Sequence, residues 1–162
     1  MFSRIGSTCQ FTAALRHVET TMVPDPIIVD HLASHLCGSD ALHLAVKELN
    51  DLRASQGPNL HLRVPARTRI LDDWLIEELK AIPTNSLGKH PVDVQVVSLG
   101  SGLDTRPWRL AFPSSTAVHW ICIDFPEVST ADRIYMLLYI GISFQRLSVI
   151  NVSAVLQRHR SQ

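Results

Sequence analysis

The sequence predicts an α/β protein with a three-stranded parallel sheet and an N-terminal cap of helices. Residues 92–99 and residues 117–123 are short apolar runs rich in β-branched side chains, which is typical of largely buried parallel strands. A Gly-x-Gly turn, Gly100 to Gly102, follows the first run directly. Upstream of residue 83, apolar residues recur at helical spacing between Gly and Pro breaks. Together these observations predict helices first and the sheet afterwards.

The composition is that of a folded soluble domain. The 162 residues are 46% hydrophobic and 19% charged, which suits one domain with a sizeable core. Lys plus Arg equals Asp plus Glu at 15 each, so net charge indicates neither a nucleic-acid nor a membrane partner. No apolar run approaches the ~18 residues of a membrane span. The three scattered cysteines predict free thiols and a cytoplasmic protein. A mitochondrial location is the alternative, because residues 1–18 hold arginines but no acid.

The chain divides into a tail and one folded region. We expect residues 1–24 to be a flexible tail, and residues 25–162 to hold the helical cap and a truncated ligand-binding domain. Capping residues predict where the cap helices start, and Gly or Pro predicts where they stop. The expected starts are Asp25, Ser39 and Pro65, and the expected stops are Gly38, Gly57 and Pro83. The third of these helices is expected to carry its apolar residues at Ile70, Leu71, Trp74, Leu75 and Leu79.

The glycine turn and the acid after the second strand predict a nucleotide-type site. Gly100 and Gly102 leave room for a ligand edge against the backbone, and a helix over residues 103–110 would offer N–H groups at its start. Asp124 stands where an acid accepts the two hydroxyls of a ribose. Thr105 replaces the third glycine of a dinucleotide fingerprint, which favours S-adenosylmethionine over NAD. The alternatives are an ordinary strand-to-helix turn and a plain cap before the next helix.

The region after Asp124 predicts one more helix and one more strand. Pro126 opens a segment whose apolar residues fit one helical face as far as Ile142. Residues 146–152 then form the third strand, which ends near Asn151. Asp104 and Arg106 are expected to pair and cap the glycine turn. His31 and His35 lie one helical turn apart, but without a third ligand we interpret them as surface residues and expect no metal site.

Three stretches resemble the leucine carboxyl methyltransferase family. Residues 97–110 read VSLGSGLDTRPWRL, residues 123–128 read IDFPEV and residues 66–74 read ARTRILDDW, in the order of that family's motifs. The resemblance extends over about residues 25–156. It implies a Rossmann-like class I methyltransferase fold, whose seven strands have the order 3-2-1-4-5-7-6. This chain would supply strands 3-2-1, and the second half of the sheet would be missing.

The resemblance also implies a cofactor and its contacts. S-adenosylmethionine would lie against Gly100 and Gly102 and on Asp124, with Arg67 holding its methionine carboxylate. Asn151 takes the place of an acid near the adenine. A solvated helix arginine and a simple strand end are the alternatives for Arg67 and Asn151. The family displaces the sulfonium methyl with an oxygen, usually of a carboxylate, so no covalent nucleophile is needed and we assign no catalytic residue.

Two functions stay open at this point. The first is an S-adenosylmethionine-dependent O-methyltransferase, present here as the half without the substrate-selecting part. By resemblance, its substrate would be the C-terminal leucine carboxylate of a protein phosphatase catalytic subunit, a hypermodified transfer-RNA base or a small acid. The second is an inactive remnant that binds the cofactor or a protein. Under either function, residues 92–99 would lack a strand on one side, and we expect self-association through that sheet edge.

Overall fold

The computed structural model describes residues 4–57, 62–83, 91–128 and 147–151. The elements are helices α1 (Arg4–Met22), α2 (Ala33–Leu36), α3 (Ser39–Gln56), α4 (Arg63–Ala81) and α5 (Arg106–Arg109), and strands β1 (Val92–Leu99), β2 (Thr116–Asp124) and β3 (Leu147–Asn151). The chain divides into two compact units, residues 1–71 and residues 72–162. The predicted combination of helices with a parallel sheet is confirmed. In the described part of the chain, no helix combines the length and apolar character needed to cross a bilayer.

The first unit is built on α1, which differs from the flexible tail expected over residues 1–24. Helix α1 packs on α2 and α3. Its buried face consists of Ala13, Ala14, Leu15 and Val18, none of which is more than 3% exposed. Because three of these side chains are small or β-branched, the sequence gives this face a weak apolar signal. The helix is therefore held by packing on its neighbours more than by its own propensity.

The segment between α1 and α2 is not the helix that Asp25 was expected to start. Glu19 Oε1 accepts the Ile27 N–H at 3.0 Å, and Thr20 Oγ1 accepts the Asp30 N–H at 2.9 Å. These backbone donors are thus bound to side chains of α1 and not to carbonyls four residues back. Asp30 itself is fully buried and pairs with Arg16 at 2.8 Å. Only residues 33–36 continue as a helix.

Helices α3 and α4 begin and end close to the predicted residues, but the buried face of α4 differs from the predicted one. Helix α3 starts at Ser39 and ends before Gly57, as expected, and Gly57 has a positive φ of 102°. In α4, Leu79 is buried as expected, but Ile70 and Trp74 are 69% and 59% exposed. The buried side of α4 instead includes two polar residues, Thr68 and Asp72.

The second unit contains a parallel sheet in the order β1-β2-β3. Val92 pairs with Thr116 and Leu99 with Ile123, while Asp124 pairs with Asn151 on β3. One face of the sheet forms the core, where Val118, Trp120 and Cys122 of β2 pack with Leu79 of α4. Partly buried apolar side chains complete this core, namely Leu75, Ile82, Val94, Val96 and Phe112.

Strand β1 is less buried than its composition predicts. Its side chains alternate between half-buried and exposed, and Val97 and Leu99 are 52% and 76% exposed. The backbone N–H groups of the even-numbered residues of β1 point towards β2. At the two ends of the strand, Val92 N–H donates to the Ser115 carbonyl and Gly100 N–H donates to the Ile123 carbonyl. The N–H groups of the odd residues 95, 97 and 99 therefore point to the opposite edge. Among the described residues, no strand pairs with that edge.

The segment after β2 is described only at its start. Residues 126–128 form a helical turn after Phe125, which agrees with the predicted helix start at Pro126. The rest of that predicted helix, as far as Ile142, lies outside the described residues. The predicted third strand over residues 146–152 corresponds to β3, Leu147–Asn151.

Candidate functional site

The candidate site lies at the carboxyl ends of β1 and β2, where the chain makes its glycine turn. Parallel pairing places these two ends at the same edge of the sheet. Gly100 N–H donates to the Ile123 carbonyl at 2.8 Å, and Ser101 N–H donates to the same oxygen at 3.4 Å. Gly100 and Gly102 have φ values of 61° and 60°, in the left-handed region that glycine enters without a steric penalty. The turn therefore requires glycine at both positions.

The Asp124 carboxylate holds this turn in place. Its Oδ2 accepts the Gly102 N–H at 2.6 Å, and its Oδ1 accepts the Phe125 N–H at 2.7 Å. The residue is 5% exposed, so these are charge-assisted hydrogen bonds in a largely dry environment. Each carboxylate oxygen keeps a second lone pair, with which it can accept a hydroxyl from a ligand. Asp124 is thus both a structural acceptor and a candidate ligand contact.

The turn is open on the side of Gly100. A Cβ placed on this residue would meet no atom of the described residues within 4 Å, so among them a ligand edge can approach the backbone there. The predicted helix over residues 103–110 is only the four-residue α5. Its first N–H groups are bound internally, because Arg106 N–H donates to Asp104 Oδ1, and Trp108 N–H and Arg109 N–H donate to the Thr105 carbonyl. The prediction that the start of this helix offers its N–H groups to a ligand is therefore wrong.

A network of buried charges follows the turn. Asp72 on α4 accepts Arg106 Nε at Oδ1 and Arg109 Nη1 at Oδ2, both at 2.7 Å. Arg106 also pairs with Asp104 at 3.1 Å, which confirms that Asp104 and Arg106 pair and cap the turn. Arg109 Nε donates to Thr105 Oγ1 at 3.3 Å. Two carboxylates and two guanidinium groups thus balance each other beside the glycine turn.

The two carboxylates favour the charged form of Arg106. Burial by itself lowers the pKa of this guanidinium, but the charges and hydrogen bonds of Asp104 and Asp72 outweigh that effect and raise its pKa above the ordinary value. The side chains of Arg106 and Arg109 are only 18% and 12% exposed. Neither can be left without an anionic partner at low cost.

The structure brings together four of the five predicted site residues. Gly102 N–H donates to the Asp124 carboxylate, and Gly100 N–H donates to the carbonyl of Ile123, the residue before Asp124. The backbone of Asn151 pairs with Asp124 on the neighbouring strand. Arg67 belongs to the first unit and is exposed on α4. Among the described residues, no group of three or more His, Cys, Asp or Glu side chains could hold a metal ion.

The part of the charge network beyond Asp104 and Arg106 was not predicted from the sequence. Asp72 lies three and seven residues before Leu75 and Leu79, which both pack in the core of the second unit. A carboxylate on the buried side of a helix needs a cationic partner. The helical spacing of Asp72 from Leu75 and Leu79 was therefore the signal from which such a partner could have been predicted. The sequence does not say which of the nearby arginines provides that partner.

Replacing Gly100 with alanine should destabilise the turn without a steric clash. The added Cβ meets open space, so the penalty is the left-handed φ of 61°, which costs a non-glycine residue about 1–2 kcal/mol. Urea unfolding followed by circular dichroism measures this loss. Ser101→Ala, in the same turn but with a negative φ, is the control and should change stability by less than about 0.5 kcal/mol. Equal stability of both variants would show that the turn does not hold this conformation.

Comparison with known proteins connects this arrangement to one family. The model of the leucine carboxyl methyltransferase family matches residues 10–137, a range that contains α4, the glycine turn and Asp124. A Mycolicibacterium vanbaalenii protein is 36% identical over 140 residues, which cover 79% of this chain and 42% of that protein. A Mycobacterium ulcerans protein is 31% identical, covering 76% of this chain and 39% of its own length. For a Mycobacterium avium protein the identity is 33%, with 76% and 38% covered.

All three relatives carry the same provisional name, S-adenosyl-L-methionine-dependent methyltransferase. The chain spans about two-fifths of the length of these relatives. The family match covers most of the chain and includes all three stretches on which the sequence resemblance depended. That resemblance is thereby confirmed, and the chain belongs to the leucine carboxyl methyltransferase family.

Proposed function

We propose that this chain binds S-adenosylmethionine at the carboxyl edge of its sheet and is the cofactor-binding part of an O-methyltransferase. The observation that carries the proposal is the hydrogen bond of 2.6 Å between Gly102 N–H and Asp124, which joins the glycine turn to the acid at the end of β2. The glycine turn and the acid, which are the two features expected of a nucleoside site, are thus directly hydrogen-bonded to each other. The provisional names of the three relatives support the same cofactor.

The residues at this edge fit the parts of the cofactor. The ribose hydroxyls would donate to the second lone pairs of the Asp124 oxygens, and the sugar edge would lie against the open side of Gly100. We propose that Asn151, which pairs with Asp124 across β2 and β3, contacts the adenine. Arg67 is exposed, and its planar guanidinium suits the methionine carboxylate as a bidentate partner.

The cofactor, when bound, supplies a methyl group on an activated sulfonium. The task of the protein is then to orient the acceptor and to exclude water. We propose that the three parallel strands represent strands 3-2-1 of the class I methyltransferase sheet. We further propose that the acceptor is a carboxylate oxygen, on a small acid or on a protein. Cys37 and Cys122 are buried and are not in disulfides, which supports a reducing, cytoplasmic location.

Calorimetric titration tests the cofactor. We expect S-adenosylhomocysteine to bind and NAD not to bind. Asp124→Ala should weaken that binding by about 1–3 kcal/mol, roughly 5- to 150-fold, because hydrogen bonds to a charged group are lost. Asp93→Ala is the matched control, since Asp93 is an exposed acid near the opposite end of the sheet and should leave affinity unchanged. Binding of NAD in place of S-adenosylhomocysteine would contradict the proposal.

A methyl-transfer assay tests the acceptor chemistry. We expect this chain alone to turn over well below about 1 per second, the lower end of ordinary enzyme rates. The reason is that the relatives carry more than half of their length outside the matched region. Radiolabelled cofactor is incubated with small carboxylic acids and with a phosphatase catalytic subunit. Label that base treatment releases as methanol indicates an O-methyl ester. Rapid turnover would contradict the expectation that this chain alone has little activity. Label that is stable to base would contradict a carboxylate oxygen as the acceptor.

A second proposal concerns protein binding through β1. The N–H groups of residues 95, 97 and 99 point to an edge that no described strand occupies, and Val97 and Leu99 expose apolar surface beside it. Natural proteins protect such edges with Lys, Pro or bulges. Val97 and Leu99 offer no such protection. We propose that a second copy of the chain pairs with this edge.

Light scattering after size-exclusion chromatography tests the edge. We expect the wild-type chain to associate, and Val97→Lys to shift it towards monomer because a charged side chain beside the edge opposes strand addition. Leu44→Lys makes a similar change on α3, where Leu44 is 60% exposed, and should leave association unchanged. A monodisperse wild-type monomer would contradict this proposal, and so would an equal response to the two substitutions.

A further inference from the structure

We propose that Asp72 is a positioning residue for the cofactor, which acts by fixing the segment that follows the glycine turn. The inference rests on the proposed function, because it concerns the same turn. Asp72 lies on α4, is 5% exposed and is remote in sequence from the turn. Its two oxygens bind two different arginines, Arg106 and Arg109, at 2.7 Å each. One carboxylate thus holds both charged residues of α5.

Helix α5 cannot maintain its own conformation. A helix of four residues is far shorter than the length at which helices become stable in water. Its residues are fixed instead by side chains, since Asp72 binds Arg106 and Arg109, and Asp104 binds both the Arg106 side chain and the Arg106 N–H. Arg106 and Arg109 are largely buried, so the position of α5 depends on the negative charge that faces them.

The glycine turn is consequently fixed at two points. Asp124 binds the Gly102 N–H, and only Leu103 separates Gly102 from Asp104, where the charge network begins. Leu103 is 4% exposed and gives this short connection little freedom to absorb a displacement. Any movement of α5 is therefore transmitted to Gly102 and to the open side of Gly100. Asp72 prepares the turn for the ligand without contacting it.

Asp72→Asn removes the charge while keeping the size of the side chain. At a temperature where circular dichroism shows the variant to be folded, we expect its dissociation constant for S-adenosylhomocysteine to rise about 5- to 50-fold, on the scale of one or two lost charge-assisted hydrogen bonds. Asp73→Asn is the matched control, because Asp73 is the next residue on α4 and is exposed. This control should bind as the wild type does.

Hydrogen exchange gives a readout that does not need the ligand. In Asp72→Asn we expect the amides of residues 101–109, apart from Pro107, to exchange about ten-fold faster or more because local opening becomes easier, while β2 keeps its protection. A residue that only adds global stability would accelerate exchange in β2 as well. If Asp72 acts through Arg109, Arg109→Gln should add little to the effect of Asp72→Asn in the double variant.

The outcomes are distinguishable. Unchanged affinity with unchanged exchange in the turn would overturn the role of Asp72, and so would faster exchange spread equally over the turn and β2. If Asp72→Asn does not fold, Arg106→Lys provides the same test, since lysine keeps the charge but loses the planar donor geometry. If the wild type does not bind S-adenosylhomocysteine, the proposed function fails, and the exchange experiment still decides whether Asp72 holds the turn.

Discussion

The parallel pairing of β1 with β2 is the constraint on which the second unit depends. Because Leu99 lies opposite Ile123, the next residues of the two strands, Gly100 and Asp124, lie at the same edge of the sheet. Gly102 then comes within hydrogen-bond distance of the acid. A shift of the pairing by one residue would turn Asp124 to the other face and remove this contact. The candidate site is thus a consequence of strand register.

Buried aspartates hold the irregular parts of both units. They are Asp30, Asp72, Asp104 and Asp124, none more than 8% exposed. In the first unit, Asp30 fixes the segment before α2 by pairing with Arg16 and accepting the Ala33 N–H. In the second unit, the others fix the glycine turn and α5. Buried ion pairs often add little net stability, but each disfavours alternative arrangements in which a charge is left without a partner.

The sequence predicts the sheet and the turn better than it predicts the helices around them. Strand β1 has the predicted limits, and Gly100, Gly102 and Asp124 meet as expected, because glycine turns and β-branched runs are local signals. The helix expected from Asp25 fails since Glu19 and Thr20, distant in sequence, bind its backbone donors. The family motifs can be identified directly in the sequence, whereas the partners of Asp72 depend on tertiary packing. The candidate site was therefore predictable in its backbone and in the Asp104–Arg106 pair, but not in the charges that Asp72 and Arg109 contribute.

The exclusively parallel sheet has a consequence for how the chain reaches its native state. Val92 pairs with a residue 24 positions later, and Trp120 with one 27 positions later, so neither pairing of the three described strands can begin as a local hairpin. Each contact requires a long loop to close first, which slows folding relative to helical proteins of similar size. During that interval the apolar residues of β1 are exposed in an unpaired strand. Production of this chain is therefore expected to benefit from low temperature and from chaperones, whatever its final assembly.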